Sequence, residues 1–574
     1  MVKVKIRNIL ILVFAVLSVS LLAGWYLFIK PERYASTIVL KGAVVTPGEI
    51  IDPGWIVVRK GKIVRVSSVQ PDVSNAITLD TEGLIFPGLI DIHNHITWNM
   101  IPRWDPDEYF LNRYEWRDGD EHSLEVREVR SDVGAEIPCE INEYGEIRAL
   151  IGGTTSTMGS GGKYCIRGLV RNLDHYSDFY LIPMYQDDDH IRYVIDLPSD
   201  PSDLTDFLND PVSEAFFIHL AEGIGPAMQA EFEQLDDMGL LTDKTIIIHG
   251  VALTPDQFRR MGEAGASLVW SPRSNLELYG TTTAIDSAIN AGVEIAIGPD
   301  WAITGSATLL DELRLADDWN TTHLDGFLSD EQLVNMVTIN PAEMAGISEF
   351  VGQISEGRYA DLLVISGDSS QPYSALIDAL PSDIQLVMVN GIPLYGDRTM
   401  MAQFWDSDKL SSMDVMGTPK AIRVSDLPQL ISDVENELVK YGFGIAPIVE
   451  TEGYEIPDTL IEYIPGSTPQ VGAEGIQWDE AIYFFGEEMT VCGPVVDLAY
   501  ADSDDEIPSN LYLGRSYPDI DRFNIFIPWN VRDDFLDISR DYYLDKEVCV
   551  TGTIEPYRGT AEIAVHNPDQ LIVP

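Results

Sequence analysis

Positive charge is scarce in this chain: 37 Lys and Arg stand against 92 Asp and Glu, for a formal net charge of −55. So acidic a molecule disfavours phosphate backbones and anionic lipid surfaces, and nucleic-acid binding is excluded as its function. The acidic residues are spread along the whole chain rather than gathered in a tail, so they read as a solvated surface. Cysteine is rare as well. Cys139, Cys165, Cys492 and Cys549 are compatible with one disulfide per domain in an oxidising compartment, with three pairings open. No cysteine follows Leu21-Leu22-Ala23-Gly24, so there is no lipoprotein signal, and no small-x-small cleavage site stands clear of Trp25.

Long apolar runs are absent except at the start. Lys3, Lys5 and Arg7 precede about 22 almost wholly apolar residues, Ile9 to Lys30, a span long enough to cross a bilayer. The expectation is an N-terminal transmembrane helix acting as an uncleaved signal anchor, preferred over a cleaved signal peptide and a secreted product. The basic residues before the span, against Lys30 and Arg33 after it, orient the remainder outside the cytoplasm. At 574 residues the chain is too long for one core, and two or three domains are expected.

The run Phe86-Pro87-Gly88-Leu89-Ile90-Asp91-Ile92-His93-Asn94-His95 ends a predicted strand in two histidines two positions apart. Strand side chains alternate faces, so His93 and His95 point the same way and can hold one metal ion. Three more apolar runs close on a ligand type: Phe216-Phe217-Ile218 on His219, Thr245-Ile246-Ile247-Ile248 on His249, and Val293 through Pro299 on Asp300. A lone histidine after such a run is usually a hydrogen-bonded core residue. Four histidines and an aspartate, all at strand C-termini, point instead to a metal site. Strands alternating with helical stretches over about 250 residues suggest a parallel barrel, whose active site lies at the C-terminal mouth where these residues would converge.

On these motifs the chain resembles the amidohydrolase superfamily. PGLIDIHNH is similar to the family's first barrel strand, FIHLAE to its fifth, TIIIHG to its sixth, LVWSPRSN to its seventh and IAIGPDW to its eighth. The resemblance implies an α/β fold, a (β/α)8 TIM-like barrel over 89–349. A small discontinuous β-sandwich, 36–88 and 350–400, is implied beside it. The membrane anchor occupies 1–35 and a helix with an acidic linker 401–475. Residues 476–574 read as five short strands with a Gly-marked bend, an all-β domain resembling an OB-fold. From 451 to 574 there are six Lys and Arg against 25 Asp and Glu, so an accessory packing module is preferred to a single-strand binder.

Within Phe217-Ile218-His219-Leu220-Ala221-Glu222 the H-x-x-E spacing resembles the single-metal branch, with its cytosine and guanine deaminases and triazine hydrolases. The resemblance implies one divalent metal ion, Zn²⁺ or Fe²⁺, held by His93, His95, His219 and Asp300. It also implies Asp300 as the acceptor of the water's proton, His249 as the orienting group and Glu222 as the proton shuttle. The two-metal branch uses a carboxylated strand-4 lysine; Lys163 sits in a loop setting and is rejected as that bridge. Trp98, Trp301 and Asn275 follow barrel strands and are candidate substrate residues. Trp98 to Glu146, dense in charge and aromatics, is a candidate lid. Arg167 and Arg171 are expected to pair with carboxylates, and His122, His175, His190, His323 and His566 lack the strand-end setting.

The function expected is hydrolysis of a non-peptide C–N bond in a small molecule, by deamination or ring opening of a nitrogen heterocycle. Hydrolysis of a cyclic or dipeptide-like amide is the alternative enzyme, and an inactive extracytoplasmic scaffold the alternative class. Nothing in the sequence specifies an oligomeric state.

Overall fold

The computed structural model describes residues 37–573 apart from 105, 107–108, 160–164, 166–167, 174–189, 451–452, 458, 462–474, 500–507, 533–534 and 536–539. The anchor expectation is corrected. Among the described residues no helix is long and apolar enough to cross a membrane, and the apolar run on which the expectation rested lies outside them. The transmembrane helix, the membrane partner and the extracytoplasmic location are therefore withdrawn. Lys163, Arg167 and His175 also lie outside the described residues.

Eight short parallel strands form the barrel. Leu89–Asp91, Thr154–Thr157 and Arg171–Asn172 make one ladder; Ile191–Val194, Ala215–Leu220, Thr245–His249, Ser267–Trp270 and Ile295–Ile297 make another. A parallel bridge between Asn94 and Asp300 joins the first strand's end to the eighth's. Ala215–Leu220 and Thr245–His249 are buried at every position, which is why they read as unbroken apolar runs: a parallel sheet covered on both faces leaves no polar side to alternate with. Helices return the chain between strands with local start signals in the sequence. Pro255–Ala264 opens on a reciprocal Thr254/Gln257 capping box and ends at Gly265 in the left-handed region.

The segments flanking the barrel join in one nine-stranded sheet. Its centre is the antiparallel pairing of Leu362–Ile365 with Ala76–Pro87, registered Leu362 to Pro87. That pairing sets the first barrel strand, because Pro87 leads directly into Leu89. The sheet extends to Ser411–Val415 and Thr418–Ile422, beyond the region expected to contribute to it. A helix follows at Leu427–Leu438, with the Asp426 side chain accepting from the Gln429 amide. Part of the expected linker packs on the barrel: Ile448, Val449, Tyr454, Ile456 and Leu460 lie against the main core.

The C-terminal block is all-β with its own core of Val491, Leu513, Ile525, Val550 and Ile563. Glu488–Ala499 pairs antiparallel with Ser509–Leu513 and Glu547–Thr553, and Phe523–Ile527 runs parallel to Thr560–Ala564. Disulfides join Cys139 to Cys165 and Cys492 to Cys549. The block meets the barrel beside its mouth. Ile482 and Phe485 pack on Tyr114, Ala227 and Met228, and Gln234 Nε2 donates to the Pro556 carbonyl at 3.1 Å.

Candidate metal centre and active site

The first strand ends at Asp91, and its extension carries His93 and His95 to the mouth. Both are pinned to the eighth strand's end. The His95 amide donates to the Asp300 carbonyl at 2.7 Å, and the Asp300 amide to the His93 carbonyl at 3.0 Å. So close an approach requires Gly298, where a Cβ would stand 2.8 Å from that of His93. His249 and Asp300 close their strands with φ of 69° and 65°, a left-handed conformation that costs non-glycine residues energy and is typical of functional strand ends.

The convergence is tight. His93 Nε2 lies 3.2 Å from His219 Nε2 and 3.3 Å from Asp300 Oδ1, and His95 Nε2 lies 3.3 Å from the same oxygen. Two overlapping ligand groups result, His93/His219/His249 and His93/His95/Asp300, each with its donor atoms within 4.8 Å of one another. Burial, reinforced by the neighbouring imidazoles, holds His93 and His219 well below the ordinary histidine value. Neutral rings with nitrogens turned on each other and on a carboxylate leave opposed lone pairs, which a cation in their midst relieves. The donor set of imidazoles and one carboxylate suits a divalent metal ion.

Neighbours orient these groups. Ser271 Oγ lies 2.9 Å from His93 Nδ1, and Ser274 Oγ donates to Asp300 Oδ2 at 2.7 Å. Asn275 does not line the cavity. Its Oδ1 sits 3.0 Å from His249 Nδ1 while its amide donates to Thr282 and Thr283, which makes Nδ1 of His249 the donor and turns Nε2 toward the cluster. The expected substrate role of Asn275 thus becomes a hold on His249. Glu222 is buried, with Oε1 accepting from the Tyr279 hydroxyl at 2.8 Å and Oε2 lying 3.6 Å from His249 Nε2.

A cavity of ≈ 210 Å³ opens over these residues, walled by Trp98, Trp116, Trp301 and His122. Trp98 and Trp301 therefore stand where the sequence placed them. Trp116, His122 and Tyr279 were not anticipated. Burial pushes the His122 imidazole down to about 4, so it enters the wall as a neutral ring packed edge-on against Trp116. One signal for the insertion was readable: Asn112 is an N-cap, accepting from the amides of Tyr114 and Glu115, and it starts the helix Arg113–Asp118 that carries Trp116. Arg171 pairs with Asp361, as expected of it, and His190 lies in a turn outside the cluster.

Arg113 fastens the insertion. Its guanidinium grips Glu231 at 3.0 and 2.9 Å and donates to Tyr114 Oη at 2.7 Å, all of them buried. Arg113→Ala would leave Glu231 charged and uncompensated, and should cost about 3–5 kcal/mol in chemical denaturation. A cost near that of an exposed ion pair, under about 1 kcal/mol, would show that the contact does not hold the insertion down.

An eight-stranded parallel barrel with histidines and an aspartate converging at its C-terminal mouth defines the class of metal-dependent barrel hydrolases. The amidohydrolase family matches residues 216–393, and the chain carries an amidohydrolase-family domain. A 5-methylthioadenosine/S-adenosylhomocysteine deaminase of Pyrococcus furiosus is 34% identical over 27% of this chain and 39% of its own length. The Haloarcula marismortui protein of the same name is 26% identical over 62% of this chain and 93% of its own length. Among solved structures, an adenosine deaminase from Xanthomonas campestris with bound zinc superposes with a TM-score of 0.50 at 18% identity, covering 71% of this chain and 98% of that one. Atrazine chlorohydrolase from Arthrobacter aurescens, complexed with zinc, gives 0.52 at 17% identity over 70% of this chain and 100% of that one. At these identities the two structures speak for the fold.

Proposed function

We propose that this site hydrolytically deaminates a purine-type heterocycle, an adenine nucleoside in the first instance, with one zinc ion held by His93, His95, His219 and Asp300. The chain is a hydrolase of carbon–nitrogen bonds other than peptide bonds. The observation that carries the reading is Glu222: a buried carboxylate outside the ligand groups, facing His249 and lining the aromatic cavity. A purely structural barrel has no use for it there. The deaminase names of the relatives supply the adenine class.

When bound, the ion supplies Lewis acidity and brings the pKa of a water toward about 7. Asp300, steadied by Ser274, would take a proton from the attacking water. His249, its Nδ1 proton committed to Asn275, offers Nε2 to the attacking water. Glu222 would give its proton to the ring nitrogen as the C–O bond forms, recover the second proton of the added water and pass that one to the leaving amine. The proton taken by Asp300 would then return to Glu222. Ammonia departs and the carbonyl product remains. The Trp98, Trp116 and Trp301 rings give a planar substrate apolar faces.

The test is ammonia release from adenosine, 5′-methylthioadenosine, S-adenosylhomocysteine, guanine and cytosine, with cyclic amides as the contrasting set. Deamination of an adenine nucleoside, with one zinc per chain by elemental analysis, is the expected result. Opening of a cyclic amide without ammonia from any base would transfer the site to amide hydrolysis. A chain without bound transition metal after metal-replete expression would be a scaffold.

A further inference from the structure

Two groups that are not ligands decide how Glu222 is held. Tyr279 is completely buried at the end of the helix Pro272–Tyr279, and its hydroxyl donates to Glu222 Oε1 at 2.8 Å. The Trp116 indole in turn donates to the Tyr279 oxygen at 2.9 Å. An indole N–H can only donate, so it occupies the acceptor side of the phenol and leaves the Tyr279 proton one destination, the carboxylate. Burial, and next to it the charge of Glu222, lifts the Tyr279 hydroxyl well above the ordinary tyrosine value, so it stays a donor throughout the working range.

Trp116 is fixed to the same loop as Glu222. The Arg113 amide donates to the Glu222 carbonyl at 3.1 Å, the Ile224 amide to the Leu111 carbonyl at 2.7 Å, and Asn112 bridges to Gly223. The approach is so close that a Cβ on Gly223, at φ +133°, would meet the Leu111 carbonyl oxygen at 2.4 Å. The insertion is thereby one piece with the shuttle's backbone and also supplies the last link to its side chain.

We infer that Tyr279 and Trp116 form a one-way hydrogen-bond relay that positions Glu222 for proton transfer, so that the insertion completes the catalytic site as well as covering it. This rests on the reading of Glu222 as shuttle. Tyr279 and Trp116 are positioning residues: they fix one carboxylate oxygen and leave the other free to turn toward His249 and the substrate. Without the relay the carboxyl group is still present but loses its aim.

With 5′-methylthioadenosine as substrate, Tyr279→Phe should lower kcat on the order of 10–100-fold, the scale of one lost hydrogen bond to a charged group, with KM within about twofold and zinc content unchanged. Trp116→Phe keeps an aromatic wall but removes the donor, and should lower kcat about 3–10-fold in the same pattern. In a Glu222→Gln background Tyr279→Phe should add less than about twofold, because residues that act through one group are not additive. Independent effects that multiply, or a Tyr279→Phe enzyme with wild-type kcat, would overturn the relay while leaving the shuttle standing. A Glu222→Gln enzyme of near-normal turnover would remove the shuttle reading itself. A crystal structure of zinc-loaded Tyr279→Phe tests the relay without turnover: the Glu222 carboxylate should leave its position while the ligands stay, and an unmoved carboxylate would overturn the relay.

Discussion

His93→Ala should abolish both bound metal and turnover, the largest effect of any single change in this chain. His93 stands in both ligand groups, facing His219 at 3.2 Å and Asp300 at 3.3 Å. Its loss breaks the cluster at its shared member. Because metal binding free energy is also folding free energy, the variant should melt earlier than the zinc-loaded parent, and by no more than the metal-stripped parent plus the cost of the vacated ring space. Asp300→Ala should lose the metal as well, and on the proposed mechanism it also removes the group that takes the water's proton. Elemental analysis of folded, monodisperse protein decides the point. A His93→Ala chain that retains one zinc would place the ion in some other ligand set. Two ions per parent chain would refute the single-metal assignment.

What was legible in the sequence shares one property: it is local. His93, His95, His219, His249 and Asp300 each end an apolar run, and parallel strands buried on both faces make such runs conspicuous. Glu222 was readable because it lies three residues from His219. The barrel was suggested by the alternation of such strands with helical stretches, and the place of each strand in it by the family resemblance. Tyr279 and Trp116 were not legible, since they are separated by 163 positions and their link depends on how the insertion docks. Asn275 was correctly placed after the seventh strand, but which way it turns depends on Thr282 and Thr283, beyond the end of its own helix. His122 was set aside for lacking a strand end, although its ring enters the cavity from a helical insertion. The acidic, proline-rich stretch from 445 read as linker because composition reports solubility, whereas Ile448, Val449 and Leu460 find apolar cover only in the folded barrel. The N-terminal run matched the length of a bilayer, yet length alone does not place a helix in one.

Glu222→Gln should keep its metal and lose on the order of 10²–10⁴-fold in turnover, the usual contribution of a positioned acid or base. The change preserves size, and the amide oxygen can still accept from Tyr279, so the relay and the fold around it persist. What disappears is the capacity to carry a proton between the attacking water and the leaving amine. The loss should therefore fall on kcat with KM little changed, since the Trp98, Trp116 and Trp301 rings proposed to face the substrate are untouched. It should also shrink for substrates whose leaving group departs without protonation, because such a group does not need the proton that Glu222 delivers. Loss of metal in the variant would make Glu222 a ligand, against its position outside both donor groups. Turnover close to that of the parent on a good substrate would reduce Glu222 to a buttress of the fifth strand, and the deaminase mechanism would lose the residue on which it rests.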